Sequence, residues 1–403
     1  MTIATGVAKQ LRYKVESAWG TAPGATGAQL LRRVTSNLSL RKATYQSEEI
    51  RSDYQRSDMR HGVRSVEGVI AGELSAATWE DFIAAAVRRA FTAVADITAL
   101  TLTIAASGSD YTITRSAGSW ITDGIKLGNV IRITAGAYNA ANLNKNLFVL
   151  AEDATILTVY PLNGVAMVAE GPIASGTVAV PGKKTYAPTT GHTDLSYSIE
   201  HYHADLVLSE LFLGCKIQSM AVKLPPSGMG TIDFDFLGRN ITTAGAAYYT
   251  TPTAETSTGV LAAVNGVLSV QGTRVATLTG LDFTVSGNMS GEPVVGSNVY
   301  ADIAEGRILV AGNFTALFES GTLRDYFIDE TEVALSVALS ASNAAAADFL
   351  AFSFPRIKVE GADKDDGEKN LVQTFPFTAL YNGSGGASAT TEQSTLAVQD
   401  SNA

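Results

Sequence analysis

Two short segments interrupt a chain that otherwise reads as β, and the elements around them recur in the same order. Period-two alternation or β-branched enrichment marks strands at residues 30–40, 65–74, 195–201, 230–236, 333–339 and 356–360. Residues 78–91 break the pattern with Trp79, Phe82, Ile83 and Ala86 at helical spacing. Thr78 is the expected N-cap there, and Glu80 and Asp81 in the first turn suit the helix dipole. Residues 314–327 offer a second helix through Leu317, Phe318, Leu323 and Phe327, although Gly321 weakens it.

The first helix follows a strand at 30–41, a long polar loop at 42–62 and a strand at 63–75; the second follows a strand at 278–289, a loop at 290–301 and a strand at 302–313. Ala71-Gly72-Glu73-Leu74-Ser75 aligns with Ala311-Gly312-Asn313-Phe314-Thr315, each leading into its helix. Downstream, 193–202, 216–224 and 230–238 match 331–340, 355–361 and 371–381. Identities are few, so the signal is element order. The reading is a mainly β chain with a duplicated β-sandwich or barrel domain, each copy flanked by one α-helix. A single sandwich with two coincidental helices is the alternative.

On the duplicated reading, copy one comprises 1–93 and 185–245 and copy two 246–382. Residues 94–184 form an insert with short strands near 101–104, 111–114, 129–134, 147–151 and 156–160, expected as a small all-β barrel or sandwich projecting outward from a loop position. Removing a peripheral insert of this kind should leave the parent fold intact. Residues 383–403 are rich in Gly, Ser, Ala and Thr and are expected to be a flexible tail.

The chain has 403 residues, 46% of them apolar and 17% charged, which excludes disorder as its global state. A lone Cys215 cannot form an internal disulfide and suits a reducing cytoplasm. Residues 1–14 lack a signal-like apolar stretch and no run of 18 apolar residues occurs, so a soluble chain with no membrane segment is expected. Net charge is −10, distributed unevenly: 13 Lys+Arg against 9 Asp+Glu in 1–93, 6 against 6 in 94–184, and 10 against 24 in 185–403. That balance argues against tight nucleic-acid binding but permits a surface along which DNA slides.

Motifs for catalysis are absent: there is no Walker A run, no GxGxxG after a strand, no HExxH, no CxxC pair and no GxSxG elbow. No enzyme and no cofactor are expected. His201 and His203, with His192 and Asp194 or Asp205, sketch a metal site; two surface imidazoles flanking a core Tyr202 is the preferred reading. Residues 363–368 resemble a calcium loop, but Gly is fifth and Thr374 twelfth, so a hairpin turn on Asp366-Gly367 explains them better. The loop at 42–62 carries Glu48, Glu49, Arg51, Asp53, Arg56, Asp58, Arg60 and His61 with Tyr45 and Tyr54, a mixed-charge contact surface or a solvated mobile loop.

Several stretches in order resemble the tail tube proteins, or major tail proteins, of long-tailed bacteriophages. Glu16-Ser17-Ala18-Trp19-Gly20-Thr21-Ala22-Pro23 is similar to that family's opening E-x-x-[FWY]-G-T-x-P segment. Ser47-Glu48-Glu49-Ile50-Arg51-Ser52-Asp53, the strand at 68–72, Tyr197-Ser198-Ile199-Glu200-His201-Tyr202 and Phe354-Pro355-Arg356-Ile357 resemble later phrases. The match leaves out the insert. The resemblance implies packed β-sheets flanked by a helix, assembled as rings stacked into a tube that conducts DNA into the host.

It further implies an inter-ring role for Glu48, Glu49, Arg51, Asp53, Arg56, Asp58 and Arg60, and an acidic lumen. Alternation nominates Glu67, Glu73, Asp233 and Asp235 for that lumen, with exterior surface charges as the alternative. Implied partners are the chain itself, as a homotrimeric pseudo-hexameric ring or alternatively a homohexamer, with tape measure, tail terminator and baseplate proteins. DNA would transit without specific binding, and the location would be the virion tail after synthesis in the host cytoplasm. The rival readings are a carbohydrate-binding or hydrolytic β-protein and a related tail or baseplate decoration protein.

Overall fold

The computed structural model describes residues 3–366 and 368–403; the turn expected at Asp366-Gly367 includes Gly367, outside the described residues. The fold is mainly β, with two helices, a six-stranded barrel and a larger mixed sheet. The elements, in chain order, are β1 (Lys9–Val15), β2 (Thr35–Ser36), β3 (Ser39–Gln46), β4 (Met59–Glu73), α1 (Glu80–Val87), the barrel strands β5 (Ile97–Ser107), β6 (Asp110–Arg115), β7 (Val130–Ala135), β8 (Leu147–Glu152), β9 (Ile156–Pro161) and β10 (Glu170–Ala179), then β11 (Tyr197–His203), β12 (Leu208–Leu224), β13 (Thr231–Gly238) and β14 (Asn240–Ala244). They continue as β15 (Gly266–Val270), β16 (Leu278–Ser286), β17 (Leu309–Leu317), α2 (Thr322–Ile328), β18 (Val333–Ser340), β19 (Phe349–Val359), β20 (Asp363–Lys364), β21 (Val372–Ala379) and β22 (Ala397–Asp400).

Pairing follows one order twice. The first set runs β3–β4–β13–β12–β11–β1 and the second β16–β17–β21–β19–β18–β15. β14 lies beside β12 as β22 lies beside β19. An antiparallel ladder between Ser219–Leu224 of β12 and Leu281–Ser286 of β16 joins the two sets into one sheet. Alternation drives it: Val66, Ile70, Leu74, Met220, Val222, Phe234, Phe236, Phe283 and Phe314 all point to a single core.

α1 seals the first set. Phe82 packs tilted against Tyr13 and edge-to-face against Tyr197, Phe234 and Phe236, at centroid distances of 4.8, 5.1, 5.4 and 5.3 Å. Gly72 is required beneath it, since a Cβ there would run into the Trp79 ring. The helix is shorter than the 78–91 expected, ending where Arg88 turns to φ +61°. Thr78 is not its cap: its hydroxyl bonds Ser75, Thr256 and Arg32 instead. The second helix also differs from the expected 314–327. Phe314 and Ala316 are buried by strand alternation in β17, and helix begins only after Gly321.

The tail expected at 383–403 is a correction too. β22 sits between β19 and the short strand Lys183–Tyr186, with Leu396, Ala397, Val398, Gln399 and Asp400 all buried. The insert closes as a barrel in the order β9–β6–β5–β10–β7–β8 around Trp120, Ile131, Leu147 and Leu157. Its sixth strand, β10, escaped pattern reading because Gly171, Ala174, Ser175 and Gly176 dilute the alternation. Nor does the barrel hang free. Val130, Phe148, Leu150 and Leu162 pack on Ala338, Phe349 and Ala351 of the second set. Gln399 bridges the Val130 N–H and C=O, and Arg274 pairs with Asp110 at 2.9 Å.

Candidate functional site

The large sheet has one face on the core and one in the open, and the four nominated carboxylates lie on the open face. Glu73, Thr231, Lys223, Asp282 and Asn313 form one cross-strand row; Ala71, Asp233, Ala221, Thr284 and Ala311 form the next; Val69, Asp235, Ser219, Ser286 and Leu309 a third. Glu67 lies further along β4. Glu67, Glu73 and Asp235 are exposed and Asp233 half-buried. Ser219 Oγ donates to Asp235 at 2.5 Å and Ser65 Oγ to Glu67 at 2.8 Å, holding both carboxylates in place. Small and hydroxylated side chains such as Ala71, Ala221, Ser219, Thr284 and Ser286 lie between them. Asp282 and its balancing cation Lys223 were missed, although the Leu281, Phe283 and Val285 alternation already set Asp282 facing outward.

The second element is a projecting hairpin. The strands β3 and β4 stay paired out to Gln46 and Met59, and Ser47 N–H bonds Asp58 C=O at 3.0 Å. The loop is therefore 47–58 and not 42–62: backbone pairing absorbs its flanks despite their polar side chains. Arg51 pairs with Asp53 at 2.9 Å and Arg60 with Asp58 at 2.8 Å, all exposed. The Arg51 hydrogen bond holds the Asp53 carboxyl below its ordinary range. Ser57 bonds Glu49 at 3.1 Å, and Glu48 and Arg56 have no ion-pair partner among the described residues. Ile50 and Tyr54 stand fully exposed at 103% and 99%, so the tip presents apolar as well as charged side chains to solvent.

The N-terminal motif has a physical role. The Glu16 carboxylate is buried and accepts from Gly20 N–H (2.7 Å), Ser196 Oγ (2.7 Å), Ser198 Oγ (2.6 Å) and Gly214 N–H (2.8 Å). Trp19 Nε1 donates to Gly214 C=O at 3.1 Å, under the Arg239 guanidinium. Four donors satisfy a buried charge that would otherwise be costly, clamping the N-terminal segment to β11 and β12.

A family model, that of the phage tail tube protein, matches residues 6–379. The chain belongs to the phage tail tube proteins. No curated protein matches it. The tail tube family is structural and non-enzymatic, and its members form the conduit of the phage tail. Among the described residues no group of three or more His, Cys, Asp or Glu is placed to hold a metal ion, and no helix is long and apolar enough to cross a membrane.

In this tail tube protein the histidine pattern is the reverse of the surface reading. His201 is buried against Phe212, bonds Ser36 Oγ at 2.7 Å, and has its pKa lowered to about 3 by burial and by Lys9 and Arg33. Tyr202 faces outward beneath Arg12. The inward-outward phase of β11 is set by Tyr197 and Ile199, which fill the core beneath α1.

Proposed function

We propose that three chains close into a ring with pseudo-sixfold symmetry, and that stacked rings form the tube through which DNA passes. The reading treats the two strand sets as duplicated copies of one tail-tube fold. The observation that carries it is a sheet with unpaired ends. In the order β2/β3–β4–β13–β12–β16–β17–β21–β19/β20, among the described residues the first strand pairs only with β4, and at the other end Lys358 and Val359 of β19, with β20, pair only with β21. Such ends invite continuation by a neighbour.

Strand spacing then favours three chains. Eight strand positions per chain, at about 4.8 Å each, give a circumference near 115 Å for three chains. The mean radius is about 18 Å, larger if the strands tilt. After roughly 5 Å for side chains the bore is about 26 Å, wider than a DNA duplex of about 20 Å. Two chains would leave roughly 14 Å, too narrow, so three is the smallest ring that passes DNA.

The open sheet face is the lumen in this reading, with Glu67, Glu73, Asp233, Asp235 and Asp282 repelling phosphate so that DNA slides without adhering. The 47–58 hairpin tip reaches the adjacent ring through Glu48, Glu49, Arg51, Asp53, Arg56 and Asp58, with Arg60 at the start of β4 beside it. Tape measure, terminator and baseplate proteins are the remaining partners in the virion. The test is electron microscopy of the purified protein. Class averages should show threefold rings with six similar lobes, and deleting 47–58 should leave rings that no longer stack. A sixfold ring of whole chains, or tubes surviving the deletion, would overturn the respective part.

A further inference from the structure

The two strand sets differ in charge, and the difference is concentrated where one meets the other. Residues 1–93 and 185–245 hold 16 Lys+Arg against 15 Asp+Glu, whereas 246–382 hold 7 against 16. At the seam inside the chain the first set supplies the cations. Lys223 lies opposite Asp282 across the β12–β16 ladder. Arg88, just past α1, reaches over to Glu305 at 3.1 Å and to the Gly306 and Gly287 carbonyls at 2.8 and 3.0 Å. Lys216 Nζ donates to the Ile303 carbonyl at 3.2 Å.

The two open ends have the same polarity. On the first set's end, β3 presents Arg41 and Lys42, both exposed and without an ion-pair partner among the described residues. On the second set's end, the segment after β19 presents Asp363, Asp365, Asp366 and Glu368, likewise exposed and unpaired among the described residues; these four outnumber the exposed Lys364 and Lys369 of the same segment. Glu330 stands at φ +50° after α2, where Arg88 stands at φ +61° after α1, so the helix-end charge is reversed between the sets. The α1 residues Phe82, Ile83 and Val87 are buried, and the second set's β16 packs against that helix. On α2, Phe327 and Ile328 remain open at 41% and 62%.

We infer that a second copy of this chain covers that acidic end with its basic one, so that the sign of charge alternates around the ring. The inference rests on the ring reading and adds what specifies its order. Contacts between two first-set ends or two second-set ends bring like charges together, which is unfavourable. Only head-to-tail contact is complementary, and head-to-tail contact is the kind that builds a ring when the rotation between neighbours closes. The imbalance between the two halves is therefore an assembly code as well as a property of the bore.

The test compares the wild-type chain with Arg41→Glu/Lys42→Glu, with Asp365→Lys/Asp366→Lys, and with all four changes together, by mass photometry and negative-stain microscopy. Each pair alone should raise the concentration for half-assembly at least tenfold. The fourfold variant should recover to within about threefold of wild type, and wild-type assembly should weaken as salt shortens the screening length. Thermal melts of the dilute monomers check that all variants fold; if any does not, the wild-type salt dependence alone decides. A fourfold variant as defective as its parents, single pairs that assemble normally, or salt-insensitive rings would overturn the seam while leaving the ring standing. A wild-type chain that forms no ring overturns the ring reading itself.

Discussion

Shortening the chain after Gln393, or changing Leu396 to Ala, separates a C-terminal strand from a C-terminal tail. Leu396 and Val398 are buried at 0% and 1% exposure in the main core, and β22 is paired on both sides. Burial of a Leu or Val side chain contributes about 1.5–3 kcal/mol. Gln399 adds hydrogen bonds to Val130 N–H, Val130 C=O and Pro181 C=O, and Asp400 accepts the Ala77 N–H at 2.8 Å, each of order 1 kcal/mol. Ordering the strand offsets part of this, so truncation should cost roughly 5 kcal/mol or more, within reach of a domain's whole stability. It also uncovers Phe349 and Ala351, on which the barrel sits. Leu396→Ala alone should cost about 2–5 kcal/mol with the cavity term included, and a chain of this size loses roughly 2–6 °C for that. Thermal unfolding of dilute protein by far-UV circular dichroism, with limited proteolysis of the truncated chain, reads both. A Leu396→Ala melt within 1 °C of wild type, with the truncated chain equally protease-resistant, would refute the reasoning, because a solvated tail changes stability by about 0.5 kcal/mol at most.

Three further outcomes are expected. Glu16→Ala should destabilise by about 3–5 kcal/mol in urea unfolding, because four donors lose their acceptor, whereas Glu48→Ala should stay within about 0.5 kcal/mol. Excising residues 97–179 with a short linker should expose Ala338, Phe349 and Ala351, giving a chain that binds hydrophobic dye and aggregates, contrary to a freely projecting insert. Burial raises the Glu152 pKa to about 8, and both carboxyl oxygens lack a hydrogen-bond partner among the described residues. A folded-state pKa above the unfolded one favours folding below about pH 4 and loses that contribution as pH rises to about 8. Glu152→Gln should therefore flatten the fall in melting temperature between pH 5 and 8, with a gain of order 2 kcal/mol at pH 8; an unchanged profile would show that the carboxyl is solvated.

Much of the candidate site was legible because strand alternation is a local property. In β4 and β13 the apolar Val66, Ile70, Phe234 and Phe236 fix which side is buried, and Glu67, Glu73, Asp233 and Asp235 are thereby placed on the other. Element order was legible for the same reason, and the Glu16 motif was readable as a pattern though not as a clamp.

What sequence alone determined is the alternation, the order of elements and the unequal charge of the two halves, all of which depend on neighbours in the chain. Tertiary structure decided whatever depends on a partner distant in sequence. Leu396 to Asp400 carry too little hydrophobicity to declare a strand, yet two waiting edges at Lys183–Tyr186 and β19 make pairing favourable. Phe314 suits either a helix or a strand until β16 and β21 flank it. His201 is buried because Tyr197 and Ile199 set the phase of β11, and the barrel's seat exists only once β7 and β8 meet β18 and β19. Hydrogen-bond partners and burial are supplied by the rest of the fold, and they override a local preference worth only a fraction of a kcal/mol per residue.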